Sequence, residues 1–557
     1  MSQDAVQDSV ARDRAFLAEA QARGPLAAVG AFLKLSGPGW LQSAITLGGG
    51  SLAGSLYMGV IGGYEILWLQ PLMMILGVVM LSAIAYVTLS TGEKPFGAIN
   101  QHVNPVLGWG WLLAAMMANL VWAMPQFSLG TAALQQNLFP EVPWLAGRQG
   151  EWACAAILFV LSGCVVWFYD SGGRGVRVFE WILKAMVGVV VLSFFGVVGA
   201  MAAKGSLDWG RIAAGFVPDV SLLWRPATDL QAFITRSNAP DYWTNTILAT
   251  QREVMIAAAA TAVGINMTFL LPYSMLRKGW DRTFRGLAIF DLATGLFIPF
   301  LLATSCVVIA AVSQFHGRVG SEMIARPAAE ATGQYRANME KRLQAEMGAT
   351  AFTALSPADV NARLDALPEA DRQLAAMLVK RDAFDLARAL ENLFGKGGLT
   401  QKIFGVGVLG MAISTIIILM VINGFCVTEM LGASPGGMLH RLGAFLPGIT
   451  GALGFLYLWS NADAKFWLAV PTSNFGMVLL PIAYVTFFLM MNSRALLGDA
   501  LPRGITRVLA NLAMLVAITV ASVGAGMSIW ANVRWAGVAA AAAFVAVVVA
   551  VGMLRKR

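Results

Sequence analysis

Gly48-Gly49-Gly50-Ser51 lies in the middle of the apolar run from Trp40 to Ile61. The run is long enough to span a bilayer. Three glycines at its midpoint predict a helix broken at membrane depth, because glycine is a poor helix former and tolerates unwound backbone. Unpaired backbone persists at that depth only inside protein or against a water-filled cavity, so the break marks a candidate substrate site between two half-helices. A small-residue stripe for close helix packing would give the same letters. A second interrupted helix, around Asn266 to Tyr273, with Gly264 and Pro272 as its interruption, favours the break.

Hydrophobic residues make up 57% of the chain and charged residues 13%, with a mean hydropathy of +0.67. Soluble domains carry roughly 25% charge, so the chain reads as an all-α, multi-pass integral membrane protein with the lipid bilayer as its main partner. The formal charge of +8 is accounted for by basic residues flanking membrane spans rather than by nucleic-acid binding. Cys154, Cys164, Cys306 and Cys426 stand singly in apolar runs without CxxC spacing, which argues against disulfides and zinc. No HExxH, GxSxG or GxxxxGK[ST] motif occurs. The chain is therefore read as a non-enzyme without a cofactor, driven by a gradient rather than by nucleotide.

Windowed hydrophobicity gives twelve candidate spans: Pro38 to Ile61, Tyr64 to Leu89, Leu107 to Leu134, Ala153 to Trp167, Val178 to Ala203, Val254 to Leu276, Leu287 to Val312, Ile403 to Leu431, Leu442 to Trp459, Trp467 to Met491, Ile505 to Trp530 and Trp535 to Met553. An even number puts both termini on one side. Lys94, Arg174, Arg177, Arg277, Lys278, Arg282, Arg285, Arg441, Arg494, Arg503 and Arg555-Lys556-Arg557 fall on that side, which predicts that it is cytoplasmic, in an inner or plasma membrane of bacterial type. Residues 1–24, within the N-terminal segment 1–36, lack an apolar signal-peptide core and read as an amphipathic helix near the membrane or a solvated tail.

Residues 313–398 interrupt the pattern with eleven basic and eleven acidic residues between spans seven and eight. Pro368 to Gly395 there reads as one long helix, so the segment is expected to be an extracytoplasmic helical insertion. Its protein partner, if it has one, cannot be named from sequence. The domain order is then 1–36, transmembrane 37–312, insertion 313–398 and transmembrane 399–557.

Several stretches resemble one family in order and spacing. Gly37-Pro38-Gly39 with Leu41 and Leu47, Arg174-Gly175-Val176-Arg177 with Glu180, Asp291 in AIFDLATGLF, IFGVGVLGMAIST, GFCVTEML ending near Glu429, Arg441 with Pro447, and Leu480-Pro481 together resemble the NRAMP divalent-metal transporters. The resemblance implies a 5+5 inverted-repeat fold of about twelve helices in which helices one and six are broken. It also implies a secondary transporter working by alternating access, with a small divalent cation as cargo.

The family's metal ligands are replaced at the matching positions. Its Asp-Pro-Gly-Asn break corresponds to Gly48 to Ser51, its Met-Pro-His to Leu271-Pro272-Tyr273, its acidic residues of span three to Met124-Pro125-Gln126-Phe127, and its Gln of span ten to Leu479. Stripping a divalent ion of water without a carboxylate is costly, so the expected cargo is weakly held or hydrated, with no metal-ligand set identified. The candidate substrate site is Gly48, Gly49, Gly50, Ser51, Asn266, Thr268, Tyr273 and Gln126, with Trp122 as a second possible cover. Glycine amides at a half-helix N-terminus also suit a carboxylate, which leaves a small solute, an amino acid or organic acid, as the alternative cargo. A transporter-like solute sensor is a further reading.

Asp291, Glu180 and Lys184 are candidate coupling or gating residues. Glu180 and Lys184, four apart, are expected to share a helix face as a pair. His102, His316 and His440 fall in predicted loops and read as surface residues.

Overall fold

The computed structural model describes residues 3–170, 174–318, 324–331, 333–381, 385–389, 399–434, 436–459 and 469–555. Among these residues eleven helices are long and apolar enough to cross a membrane, and the bent pair at the glycine triplet makes a twelfth span. Span one runs Pro38–Thr46 and Gly49–Gly62, with a 55° bend at the break. Span six runs Pro240–Ala262 and Ile265–Arg277. Each break leaves two residues out of the helix, Leu47-Gly48 and Val263-Gly264, in non-helical or extended backbone.

The break of span six falls at Gly264 alone. Pro272 lies inside Ile265–Arg277 without ending it, since a single proline removes one backbone hydrogen bond that neighbouring helices make tolerable. The first half of span six also starts at Pro240, well before the predicted Val254, because Pro240 at the first helical position fits its N-terminus. Span four likewise extends over Arg148–Asp170, beyond its apolar stretch.

The two broken spans are in direct contact. The Thr46 hydroxyl donates to the carbonyls of Thr261 at 2.7 Å and Ala262 at 2.9 Å, joining the two breaks. Beyond the break the second half of span one packs on the first half of span six, where a Cβ added at Gly54 would stand 3.1 Å from the Ala258 Cα. Small residues replace bulk where helices must approach closely in lipid. Span three (Pro105–Ala132), span eight (Leu399–Met430) and span ten (Ala469–Met491) close the sides of this pair. Span eleven (Gly504–Asn532) lies outside span ten, and span twelve (Arg534–Arg555) buries none of its residues.

The N-terminal residues fold as helices Gln3–Arg23 and Pro25–Leu35, joined to the span six–seven loop through Arg14 and Asp281 at 2.5 Å. On the opposite face, helices Gly333–Met347, Pro357–Asp365 and Glu369–Met377 form a small body over the ends of spans one and six. Its apolar residues Tyr335, Met339, Leu343 and Leu374 share a core with Val60 and Ile61 of span one and Trp243 and Ile247 of span six. The helix opened by Pro368 ends at Met377 instead of continuing. The Lys380 amide turns to Gln334 Oε1 at 2.8 Å, and residues 390–398 lie outside the described residues.

A buried carboxylate fastens this body to span six. Asp371 accepts from Trp243 Nε1 at 2.8 Å, Arg342 Nε at 2.9 Å, Ser237 Oγ at 3.1 Å and the Asn238 amide at 3.2 Å. Two histidines expected at the surface are buried as well. The His316 Nδ1 lies 2.9 Å from the Val60 carbonyl, and His440 sits beside the Phe425 ring at 5.2 Å between centroids. Both stand at helix ends, where polar side chains can be covered by the neighbouring helix.

Candidate functional site

The two breaks enclose a cavity of about 40 Å³, lined by Thr46, Gly48, Gly50, Ser51, Gln126, Thr261, Gly264, Asn266, Met267, Thr415 and Ser473, among others. One water needs roughly 10–15 Å³ by this measure, so there is room for an ion with one or two waters. No carboxylate, histidine or cysteine lines it. Among the described residues no group of three or more such side chains could hold a metal ion.

The polar groups around the cavity are arranged asymmetrically. A helix N-terminus offers free N–H groups and a C-terminus free carbonyls. At the break of span one, the Gly48 amide donates to Ser51 Oγ at 3.2 Å and the Gly49 amide to Gln126 Oε1 at 2.8 Å. At the break of span six, the Gly264 amide faces Met267 Sδ at 3.4 Å and the Met267 amide donates to Asn266 Oδ1 at 2.9 Å. These amides are occupied by the protein itself.

The carbonyls opposite them keep capacity. Thr46 O accepts from Ser51 Oγ at 2.6 Å, Ile45 O from Thr415 Oγ1 at 3.4 Å, and Thr261 O from the Thr46 hydroxyl. A carbonyl oxygen has two lone pairs, and a single hydroxyl uses one. The C-terminal ends of both first half-helices, Pro38–Thr46 and Pro240–Ala262, therefore present partial negative charge to the cavity.

Gly48, Gly50, Ser51, Asn266 and Gln126 meet at this cavity, and Gly49 is held against it by Gln126. Thr268 and Tyr273 do not. The Thr268 hydroxyl donates to Ile265 O and accepts from Trp111 Nε1 at 2.9 Å, on the span three side of the helix. Tyr273 lies five residues further on, stacked between Phe269 at 4.7 Å and Phe425 at 5.5 Å. Helical rotation from Gly264 carries both away from the break. Trp122 covers the cavity instead, its Nε1 bonded to Thr472 O at 2.8 Å and its ring against Gly264 and Gly476.

Sequence reasoning overlooked Thr46, Thr261, Met267, Thr415, Thr472 and Ser473. The hydroxyls are single letters in apolar helices, visible only as polar residues at membrane depth. Met267 restores a thioether at the break, a role expected to be lost at Leu271. Span ten contributes Thr472 and Ser473, whereas Leu479 is packed among apolar neighbours.

Asp291, Glu180 and Lys184 come together elsewhere, around the start of span one. Asp291 is buried and accepts from Ser36 Oγ, the Gly39 amide at 2.7 Å and the Gly37 amide at 3.2 Å. It caps a helix whose own N-cap, Gly37, has no side chain to do so. The expected pairing of Glu180 with Lys184 gives way to two longer-range contacts. Glu180 pairs with Lys278 at 3.0 Å, and Lys184 Nζ donates to Ser36 O at 2.8 Å. Both side chains find partners across helices, which an i,i+4 reading cannot see. Spans five, six and seven are thereby joined to the head of span one, nine helical residues from the break.

A family model described as natural resistance-associated macrophage protein-like matches residues 39–353 and 374–528. The manganese transporter pdt1 of Schizosaccharomyces pombe is 25% identical over 194 residues, covering 35% of each chain. The metal transporter Nramp6.2 of Populus trichocarpa is 27% identical over 190 residues, 34% of this chain and 32% of that one. Each of these matches spans about a third of the relative's length. Crystal structures of two variants of the Eremococcus coleocola manganese transporter superpose with TM-scores of 0.63 and 0.61 at 13% identity, covering 94% of both chains. That likeness speaks to the fold: two five-helix repeats with broken first spans. Since the family model covers most of the chain, from the start of span one to the end of span eleven, the protein belongs to the natural resistance-associated macrophage protein-like family.

Proposed function

We propose that this protein is a secondary transporter that carries a divalent metal cation, still holding part of its water, through the cavity between the breaks of spans one and six. Family membership and the relatives named as metal and manganese transporters support this cargo class. The observation that carries it is the set of acceptors at the breaks: the carbonyls of Ile45, Thr46 and Thr261, at the ends of both first half-helices, keep lone pairs beside the cavity. A cation finds these carbonyl acceptors at the negative ends of two helix dipoles. Without a carboxylate ligand the ion retains waters, because neutral oxygens repay only part of its dehydration. Alternating access moves it, and both termini lie on the cytoplasmic side by the distribution of basic residues.

The test is uptake of manganese and of magnesium into proteoliposomes beside a panel of amino acids. Saturable flux of both cations, with little preference between them, is the expected result. Uptake of a carboxylate-bearing solute with no cation flux overturns the reading.

A further inference from the structure

A second cavity, of about 850 Å³, opens on the face that carries both chain ends, between the end of span ten and the start of span eleven. Arg494, Arg503 and Arg507 line it, with Asp499 as the one acidic residue among the lining side chains. Asp499 is fully exposed and stands 3.5 Å from Arg503, so it offsets one charge at most.

Arg507 is held in place by an amide pair. Asn492 Oδ1 accepts from Arg507 Nε at 3.3 Å and Nη2 at 3.2 Å, and from Asn511 Nδ2 at 3.0 Å; Asn492 Nδ2 donates to Asn511 Oδ1 at 2.8 Å. A neutral amide orients the guanidinium without discharging it, and leaves the Nη1 edge to another acceptor. Gly504 takes φ 58° as span eleven begins, and its N-cap, Arg503, supplies no side-chain cap. The first-turn amides therefore add their positive end to the same cavity.

The apolar side of the feature starts within the same turn. Ile505, Val508, Leu509 and Leu512, at helical spacing, are 58–69% exposed on the outside of the bundle. They form a continuous stripe running from the arginines into the depth of the membrane. A charged pocket at the interface with an apolar wall beneath it matches a molecule with a phosphate head and acyl tails.

We propose that the Arg494–Arg503–Arg507 cavity binds the phosphate headgroup of an anionic phospholipid, whose acyl chains lie along Ile505, Leu509 and Leu512. The loop that forms the cavity is also tied to span two, where the Tyr86 hydroxyl donates to Ala500 O at 2.7 Å. The bound lipid thus joins spans two, ten and eleven at one membrane face. This proposal is independent of the cargo.

The experiment uses the full-length protein and follows its thermal unfolding while phosphatidylglycerol, phosphatidylcholine or inorganic phosphate is added. Phosphatidylglycerol should raise the unfolding temperature saturably, with phosphatidylcholine much weaker. Each basic residue near an anionic surface contributes about fivefold in affinity, so an Arg494→Gln, Arg503→Gln double variant should bind phosphatidylglycerol roughly 20- to 30-fold more weakly. Both side chains are exposed or at the rim, and size-exclusion of the variant checks its fold. Arg507→Lys keeps the charge but loses the oriented fork, and should weaken binding less than the double variant. Equal stabilisation by inorganic phosphate, equal stabilisation by phosphatidylcholine, or an unchanged response in the double variant overturns the proposal.

Discussion

The backbone amide of Gly39 donates to the carboxylate of Asp291 at 2.7 Å, so the head of span one is capped from span seven. The contact leaves no room for a side chain: a Cβ on Gly39 would run into the Asp291 carbonyl. The first half of span one is fastened to span seven at this point, one half-helix away from the cavity.

Gly39→Ala should therefore separate the two helices, at a cost of about 1–3 kcal/mol for overpacking. Asp291→Ala should remove the cap, at a cost of about 0.5–2 kcal/mol. Thermal unfolding reads both losses, and cation uptake should fall with them. Unchanged stability in both variants contradicts a stabilising role for this contact.

Gln126→Glu keeps an acceptor for the Gly49 amide and brings a negative charge to a cavity that has none. The half-saturation concentration for divalent cations should fall about tenfold, equivalent to ~1.4 kcal/mol. Uptake measured against cation concentration tests this. A rise in that concentration would argue against a cation in this cavity.

Met267→Leu separates direct from water-mediated contact. A thioether that ligates the ion would favour manganese over magnesium, since softer ligands favour transition metals. For an ion bound through its waters, the manganese-to-magnesium uptake ratio should change less than about threefold on substitution. A larger fall in that ratio shows direct coordination.

Asp229, in the loop between spans five and six, has its carboxyl held well below the usual range, chiefly by its hydrogen bond with His316 and further by that with Arg211. A depressed folded-state pKa stabilises the fold above the unfolded value, near 3.9, and the contribution is lost as pH falls below that value. Asp229→Asn should lower stability at neutral pH and flatten its decline between about pH 5 and 3. Unfolding temperature measured across that range checks the sign.

Asp371→Ala removes the acceptor shared by Trp243, Ser237 and Asn238 and leaves Arg342 only its pair with the more exposed Glu346, at a cost of about 1–3 kcal/mol. Residues 333–377 should become sensitive to protease while the membrane helices stay intact. A protease pattern identical to the parent would mean that the apolar core with Trp243 holds this body without the carboxylate.

The membrane class, the number of spans and the break at Gly48 were legible in the sequence, because each rests on local chemistry: apolar length, and glycine where helix is expected. The break of span six was legible in Gly264, while Pro272 misled, since one proline inside a packed helix need not interrupt it. Helix rotation could not be read from the letters. It turns Thr268 and Tyr273 away from the cavity and brings Thr46, Met267 and Thr415 to it.

Charge pairing was likewise decided by the tertiary structure. Glu180 and Lys184 are four apart in sequence, yet Lys278 and the Ser36 carbonyl, from other helices, take them up. Local spacing determines which residues share a face of one helix. Only the packing of spans one, five, six and seven decides which polar groups meet in a medium with no water to satisfy them.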